Sequence, residues 1–393
     1  MKILFSQYQK FIPIAKMLHA QGHELVSSHP GLTKNFNDLD IPSKPLSDFI
    51  KPDDKINALN YSSAALGKMI DQSYDGYVNF SDKVKLFMTN NIPAFMYSRL
   101  ADLSIAVTAI NNYDPDIILV HNDVEPITRT MAAWASGNGK PCLHIPHAVY
   151  MDVGRGAPGT DVHDIITASH LACAGKYQRE WYEERGFVPD NIREVGIPWL
   201  DSFAKVVPTR DNAIRLLGLR PNLPVITYAS SWRQDTNLLG CHDGVEEYYG
   251  KILEAMQFMP GAQLIVKVHP HGNNADWHMV QAKDKGVNCI VTATHLEVIL
   301  QATDLLISYG PSNIIFEGSF FPGVRLAVSH GYEQDKEIIK IGENAASIQV
   351  AETIKNALGA ESQNYTGFRY KYCGITDGKS AKRVVGFVEE LLS

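Results

Sequence analysis

The segment Gln263-Leu-Ile-Val-Lys-Val-His-Pro-His271 joins an apolar run to polar residues at its far end, a pattern typical of a buried strand that ends at a binding edge. Apolar residues have helical spacing before it, over 246–259, and after it, over 276–285, and a further strand is predicted over 287–291. Strands separated by amphipathic helices are typical of a parallel sheet covered by helices. We therefore predict an α/β fold around this segment.

The same alternation of strands and helices continues over most of the chain. Further short apolar runs predict strands at residues 3–5, 23–26, 114–122, 141–147, 164–169, 192–198, 224–231, 304–308 and 324–328. We predict two α/β domains: residues 1–203, with a helical insertion at about 45–112, and residues 204–379. An amphipathic helix over 380–393 is expected to pack back on the first domain.

Composition and charge bear on the class of protein. The chain has 393 residues, of which 45% are hydrophobic and 20% charged, enough apolar residues for large cores. Its formal charge of −7 gives no global attraction for a polyanion, although a local basic cleft and a nucleic-acid acceptor are not excluded. Five cysteines without a Cys-x-x-Cys pair indicate neither a zinc site nor a disulfide framework, and we assign no metal. With no membrane-length apolar run, we expect a cytoplasmic protein, with peripheral attachment to the inner face of a membrane left open.

Several common catalytic motifs are absent from the sequence. There is no G-x-G-x-x-G after the first predicted strand, no G-x-x-x-x-G-K-[ST] loop, no G-x-S-x-G elbow and no H-E-x-x-H helix. Their absence weakens dehydrogenase, nucleotide triphosphatase, esterase and zinc-protease interpretations.

Polar residues follow two predicted strands of the second domain. Lys267 and His269 follow one strand, and a cation beside an imidazole suits a phosphate. The alternative is a solvated lysine with a histidine bonded to the backbone. Ser230, Ser231 and Arg233 close another strand, where hydroxyl and guanidinium groups could contact a donor diphosphate. An ordinary loop is the alternative there.

A second group of candidates lies where a buried strand turns into a helix. Ser308 ends the strand, Gly310 permits a close turn, and Ser312 or Asn313 would cap the helix. Free N–H groups at a helix start stabilise a phosphate. Glu317, one turn further on, could accept hydrogen bonds from ribose hydroxyls. Simple capping and a solvated helix face are the alternatives.

The first predicted domain offers several candidates for a general base. His147 follows a strand, and a neutral imidazole is a suitable base at neutral pH. Asp123 and Asp152 are rival catalytic candidates, as are Glu125 and Asp235, and each could instead be a surface carboxylate.

Taken in order along the chain, several short motifs resemble the two-domain GT-B glycosyltransferases. The motifs are Pro13-Ile-Ala with Gly22-His23, Pro115-Asp-Ile-Ile-Leu-Val-His121, Val195-Gly-Ile-Pro-Trp-Leu-Asp201, Lys267-Val-His-Pro270, Ser308 to Glu317, and Asp377-Gly-Lys-Ser-Ala-Lys-Arg383. The resemblance is closest to the branch of CDP-glycerol glycerophosphotransferases (teichoic acid polymerases) and capsule polysialyltransferases. UDP-N-acetylglucosamine 2-epimerases share much of the layout. The resemblance implies two Rossmann-like domains facing a central cleft, with donor phosphates at Lys267, His269, Ser308, Ser312 and Asn313 and the base at His147.

The resemblance also implies a function in polysaccharide biosynthesis. The implied protein is a metal-independent transferase without a cofactor. It moves a sugar or glycerophosphate-like group from a UDP-, CDP- or CMP-linked donor. The acceptor would be a hydroxyl on a glycan, glycolipid or other polymer, and a homodimer is compatible with the pattern. A UDP-sugar 2-epimerase, hydrolysing or non-hydrolysing, is one alternative. An inactive nucleotide-sugar-binding protein is another, because Tyr309-Gly-Pro-Ser312 stands where polymerases often have Asp-Tyr-Ser-Ser.

Overall fold

Two parallel sheets organise the chain, one in each of two units. The computed structural model describes residues 1–73, 82–122, 125–146, 167–206, 209–230, 243–269, 275–293, 296–332 and 334–393, with side chains except at 67–73, 82–96 and 243. Unit 1 combines the described residues before 147 with residues 167–199 and Lys379–Ser393, and unit 2 comprises the described part of Leu200–Gly378. Over these residues, no helix has the length and apolar character to cross a membrane.

The sheet of unit 1 contains a switch point between two central strands. In the described part of the unit, its strands are β1 (Lys2–Phe5), β2 (Glu24–Ser27), β3 (Ser43–Pro45), β4 (Ile117–Val120), β5 (Cys142–His144), β6 (His170–Cys173) and β7 (Ile192–Glu194). Their order is β3-β2-β1-β4-β5-β6-β7, so the chain builds the sheet in opposite directions from β1 and β4. Ligands of open parallel sheets bind beyond the carboxyl ends of the strands at such a point.

Helices cover both faces of this sheet. They are α1 (Ile12–Ala20), α2 (Pro30–Asn37), α3 (Pro52–Ser73), α4 (Asp82–Tyr113), α5 (Pro126–Gly137) and α6 (Lys176–Glu183), with 3-10 turns at Gln9–Phe11, Leu46–Phe49 and Pro189–Asn191. Ile117 of β4 lies in one core with Leu18 of α1, whereas its neighbour Ile118 lies in another core with Met131 of α5. β4 is therefore an uninterrupted apolar run, as expected of a strand that is buried on both faces.

The six-stranded sheet of unit 2 repeats the order of the first six strands of unit 1. Within its described residues, the strands are β8 (Val225–Ala229), β9 (Gln263–Lys267), β10 (Cys289–Thr292), β11 (Leu305–Ser308), β12 (Arg325–Val328) and β13 (Ile339–Lys340), in the order β10-β9-β8-β11-β12-β13. The helices are α7 (Arg210–Leu216), α8 (Asp243–Gln257), α9 (Ala275–Asp284), α10 (Leu296–Ala302), α11 (Asn313–Gly318), α12 (Ser347–Gly359) and α13 (Thr366–Cys373), with a 3-10 turn at Phe203–Lys205. A further 3-10 turn, Pro198–Leu200, lies at the chain position where unit 1 ends and unit 2 begins. The switch point falls between β8 and β11, which are both fully buried.

The last helix, α14 (Ser380–Leu392), follows unit 2 in the chain but packs within unit 1. Val384 on its apolar side lies in the same core as Leu18 of α1. Arg383 Nε also donates a hydrogen bond to the carbonyl oxygen of Val195 at 2.8 Å. Each fully buried aliphatic side chain of this kind contributes about 1.5–3 kcal/mol, so the apolar face is the main attachment of the helix.

Two stacked tyrosines in the core of unit 2 differ in one respect that can be tested. The rings of Tyr228 and Tyr249 stack with centroids 5.4 Å apart, and both are buried. Tyr249 donates a hydrogen bond to the carbonyl oxygen of His278 at 3.0 Å, whereas the Tyr228 hydroxyl has no partner among the described residues. Burial raises the pKa of Tyr228, so its hydroxyl is in the neutral form.

Tyr228→Phe is therefore expected to leave the free energy of unfolding unchanged or to raise it by up to about 1 kcal/mol, because an unsatisfied buried hydroxyl is removed. Tyr249→Phe is the matched control and is expected to cost about 1 kcal/mol, because it deletes the hydrogen bond to the His278 carbonyl oxygen. Urea unfolding of both variants measures the difference. Equal losses of stability in the two variants would contradict the assignment of the Tyr228 hydroxyl as unsatisfied.

Candidate functional site

The carboxyl ends of three neighbouring strands in unit 2 place candidate residues in one row. Ala229, the last residue of β8, pairs with Lys267 of β9 on one side and with Ser308 of β11 on the other. Paired residues of adjacent parallel strands lie about 4.8 Å apart and point to the same face of the sheet. Lys267 and Ser308 therefore lie on either side of Ala229 at the switch point, where the strand order favours a ligand.

Lys267 is the cation of this row, and the structure buries it. Its side chain is only 8% exposed, and Nζ donates a hydrogen bond to the carbonyl oxygen of Val268 at 2.9 Å. Burial lowers the pKa of Lys267, and the negative charge of Glu317 acts in the opposite direction. The sequence suggested a lysine available at an open strand end. The structure instead gives a desolvated lysine under the influence of a buried carboxylate, where electrostatic interactions are stronger than in water.

Glu317 reaches this region from α11. The helix follows β11 directly, and Glu317 is 8% exposed on its buried side. Carboxylates are almost never fully buried without a partner. The buried position of Glu317 excludes the solvated helix face that the sequence left open.

The turn between β11 and α11 depends on a glycine. Gly310 has φ of +72°, a conformation that residues with a side chain rarely adopt. A Cβ at this position would also lie 2.5 Å from Nε2 of His330. Ser312 occupies the N-cap position of α11 in extended conformation but makes no capping hydrogen bond through its side chain, and Asn313 is the first residue of the helix.

Ser230 and His269 complete the described candidates in unit 2. The Ser230 amide donates to the carbonyl oxygen of Lys267 at 3.0 Å, which ties the end of β8 to the end of β9. Its hydroxyl lies 3.1 Å from Nε2 of the buried His278. His269 lies two residues beyond β9 and is partly buried. Ser231 and Arg233 lie outside the described residues.

A cluster of polar groups next to the turn was not identified from the sequence. His330 Nδ1 lies 2.8 Å from the hydroxyl of Ser329 and 3.4 Å from Oε2 of Glu343. The Tyr309 hydroxyl donates to the same carboxylate oxygen at 3.4 Å. Ser329 and His330 follow the predicted strand at 324–328, so polar residues after that apolar run were the signal available in the sequence.

Unit 1 has a buried polar network at its own switch point. Ser6 follows β1 and lies with its hydroxyl 2.8 Å from Nδ1 of His121, which follows β4. The Asn122 side-chain oxygen accepts hydrogen bonds from the Glu125 amide and the Thr128 hydroxyl, so its NH₂ group faces Nε2 of His121 at 2.8 Å. His121 Nε2 is then an acceptor and Nδ1 carries the proton, which fixes one neutral tautomer.

The three catalytic candidates of the first domain cannot be compared with this network. His147, Asp123 and Asp152 lie outside the described residues, as does Asp235, and their roles stay predictions. Glu125 begins α5 as an exposed N-cap residue. Across the residues that are described, no group of three or more His, Cys, Asp or Glu side chains is arranged to hold a metal ion.

Part of the sequence matches a known family. The model of the family described as CDP-Glycerol:Poly(glycerophosphate) glycerophosphotransferase matches residues 164–317. The matched segment contains β8, β9 and β11 and ends at Glu317. No protein with a curated description matches the chain significantly.

The chain is similar over its whole length to several solved structures. UDP-GlcNAc 2-epimerase from Neisseria meningitidis, bound to UDP-GlcNAc, has 14% identity and a TM-score of 0.59, covering 99% of this chain and 100% of that chain. The Methanocaldococcus jannaschii enzyme in complex with UDP-GlcNAc and UDP has 13% identity, a TM-score of 0.61 and the same coverage. MurG from Acinetobacter baumannii has 9% identity and a TM-score of 0.51, with 99% of each chain covered. Identities this low show the fold, and they confirm the predicted α/β class.

Proposed function

We propose that this chain, which has the GT-B fold, is a transferase that moves a sugar or glycerophosphate-like group from a nucleotide-linked donor to an acceptor hydroxyl. The observation that carries the proposal is the row at the switch point of unit 2, with the buried Lys267 beside Ala229 and Ser308. The match to the glycerophosphotransferase family covers this row and supports a donor site here.

The donor's phosphates are the part of the substrate that this row suits best. A desolvated ammonium group interacts strongly with phosphate oxygens, which carry full negative charges. Lys267 would supply that cation, and Gly310 would let the main chain come close to the phosphate. Glu317 would then accept hydrogen bonds from ribose hydroxyls, as its buried position beside the lysine favours.

The remaining unit 2 candidates would complete the donor site. Hydrogen-bond donors for phosphate oxygens would come from His269, Ser230, Ser231, Arg233, Ser308, Ser312 and Asn313. These assignments follow from the positions of the residues after β8, β9 and β11 and from the resemblance of their motifs.

In the proposed reaction, the acceptor oxygen bonds to the transferred group while the bond from that group to the nucleotide's phosphate oxygen breaks. The electron pair of the broken bond stays on the phosphate, where Lys267 stabilises the charge. The acceptor's proton passes to a base, for which His147, Asp123 and Asp152 are the candidates. The acceptor would be a hydroxyl on a glycan, glycolipid or other polymer.

A UDP-sugar 2-epimerase is the second candidate. The full-length similarity to UDP-GlcNAc 2-epimerases favours it, because such an enzyme would use the same donor site. The two functions differ in what happens to a UDP-sugar without an acceptor. An epimerase changes the configuration at C2, whereas a transferase needs an acceptor, or water in its place, to release the nucleotide.

The proposal is tested by binding and turnover with a panel of UDP-, CDP-, GDP- and CMP-linked donors. At a concentration of 100 times Kd, the correct donor is expected to stabilise the fold by about 2.7 kcal/mol, seen as a higher Tm. The matching nucleoside, which lacks phosphates, is the control and should have little effect. NMR of the bound donor then distinguishes C2 epimerisation from nucleotide release. A panel without any stabilising compound would contradict the donor site. Binding with neither epimerisation nor nucleotide release, also when glycan or other polymer acceptors are added, would indicate a binding protein.

A further inference from the structure

We propose that His330 is a further residue of the donor site, donating through Nε2 to the phosphate oxygen from which the transferred group departs. The inference rests on the proposed function, because it requires a donor phosphate at the carboxyl edge of the unit 2 sheet. Neither the resemblance of the sequence motifs nor the matched segment 164–317 includes this residue.

His330 leaves the sheet immediately beside the strand-to-helix turn. Val328 pairs with Ser308, and the Ser329 amide donates to the Ser308 carbonyl oxygen at 3.2 Å, so the segment after β12 starts next to the turn after β11. The imidazole then packs on Gly310, where a Cβ would lie 2.5 Å from Nε2. A side chain at position 310 would occupy this space, so the glycine keeps Nε2 at the turn.

The two ring nitrogens of His330 have different surroundings. Nδ1 faces the Ser329 hydroxyl at 2.8 Å and the Glu343 carboxylate at 3.4 Å. Because a carboxylate can only accept, this side favours a proton on Nδ1. Nε2 has no hydrogen-bond partner among the described residues, and the side chain is 40% exposed. When the ring takes up a second proton, the new N–H group is therefore available at the turn.

Charged and polar groups of several elements surround the Nδ1 side of His330. Glu343 supplies a negative charge, and the Tyr309 hydroxyl donates to it at 3.4 Å, with its ring edge-on to the imidazole. Burial and Glu343 raise the pKa of Tyr309, so the phenol stays a neutral donor. Two lysines lie nearby. Lys340 Nζ donates to Gly331 O at 2.8 Å, and Lys251 Nζ donates to Glu343 O at 2.8 Å and pairs with the Glu247 carboxylate at 2.8 Å.

This arrangement can transfer a proton to the leaving phosphate. As the bond between the transferred group and the phosphate oxygen breaks, its electron pair stays on that oxygen, and the Nε2 proton moves to it. The ring is left neutral with its proton on Nδ1, still facing Ser329 and Glu343. An imidazole suits this role because its charge changes within the physiological pH range.

The test is the affinity of the full-length chain for UDP, CDP and CMP between pH 5.5 and 8.5, measured by calorimetry for wild type and His330→Gln. The ratio of the two dissociation constants cancels the titration of the nucleotide itself. We expect His330→Gln to bind about tenfold more weakly at low pH, the value of one charge-assisted hydrogen bond, and equally well at high pH. Glu343→Gln should also weaken binding at low pH, because the carboxylate that faces Nδ1 and orients the ring is lost. His19→Gln, on α1 of unit 1, is the control and should match wild type throughout.

The possible outcomes separate the two proposals. Binding by wild type with a ratio that does not change with pH overturns the role of His330 and leaves the donor site intact. Absence of nucleotide binding by wild type overturns the donor site, and the role of His330 with it. Unchanged low-pH affinity in Glu343→Gln also argues against the role of His330, even if His330→Gln fails to fold.

Discussion

Lys267→Met is expected to abolish binding of the nucleotide-linked donor, because the cation proposed for the phosphates is lost. It should change the free energy of unfolding only slightly, because the lost attraction to Glu317 is offset by relief of the larger desolvation cost of the lysine. The lysine is 8% exposed, and so is Glu317, whose charge acts on it. Methionine retains the unbranched apolar stem, so the change removes the ammonium group with little change of volume. Calorimetric titration and urea unfolding measure the two effects separately.

A second substitution separates binding from stability. Lys267→Met with Glu317→Gln removes both charges, so we expect it to recover none of the donor binding, whereas any stability that the single variant loses through Glu317 should be recovered. Lys355→Met, at an exposed lysine on α12, is the matched control and should change neither quantity measurably. Equal instability of the single and double variants would show that the two charges do not interact.

The pH dependence of stability provides an independent check on Lys267. Burial lowers its pKa in the folded state from the usual 10.5, so between the lowered value and pH 10.5 the unfolded chain binds more protons. The stability contribution is therefore greatest above pH 10.5 and is lost as the pH falls through the lowered pKa. This rise in stability with pH should be absent from Lys267→Met.

Phe316→Ala is expected to destabilise unit 2 by about 3–5 kcal/mol, the range for truncating a buried phenylalanine. Phe316 is 2% exposed on α11, stacked on Phe368 of α13 at 5.5 Å, with Tyr372 at 5.9 Å. Because the same helix carries Glu317, the cavity should also weaken donor binding. The loss of stability is measured by urea unfolding.

Phe258→Ala provides the control for this truncation. Phe258 is 46% exposed, so the same chemical change should alter the free energy of unfolding by no more than about 0.5 kcal/mol. Phe316→Leu, which leaves a smaller cavity, should lie between the two. If Phe316→Ala lowered the free energy of unfolding no more than Phe258→Ala, the aromatic contacts of Phe316 would not stabilise α11.

The fold class could be predicted because the strands that form the sheets are visible as apolar runs. Ile117–Val120 and Leu305–Ser308 are buried strands, and each is a short run between helical segments in the sequence. A strand that is covered on both faces has apolar residues at every position, so its sequence is a continuous apolar run that can be recognised without knowledge of the rest of the fold. The α/β class of GT-B type is confirmed by the similar solved structures.

The candidate site could be predicted only in part, because contacts distant in sequence determine it. The pairing of Ser6 with His121 joins residues 115 positions apart, and the contact of His330 with Gly310 depends on the register between β11 and β12. Burial of Lys267 was also missed, because a lysine after an apolar run gives no sign of what covers it. The roles of the unit 2 candidates in donor binding stay predictions.

The packing of α14 has a consequence for the order in which the chain can fold during synthesis. The ribosome makes all of unit 2 before it makes residues 380–392, yet Val384 of that segment belongs to the core around Leu18 in unit 1. The earlier-made residues of unit 1 therefore cannot complete this core until residues 380–392, which follow all of unit 2, have left the ribosome. The first unit to be translated is in this sense the last to be finished, and during that interval it is the part of the nascent chain most in need of chaperones.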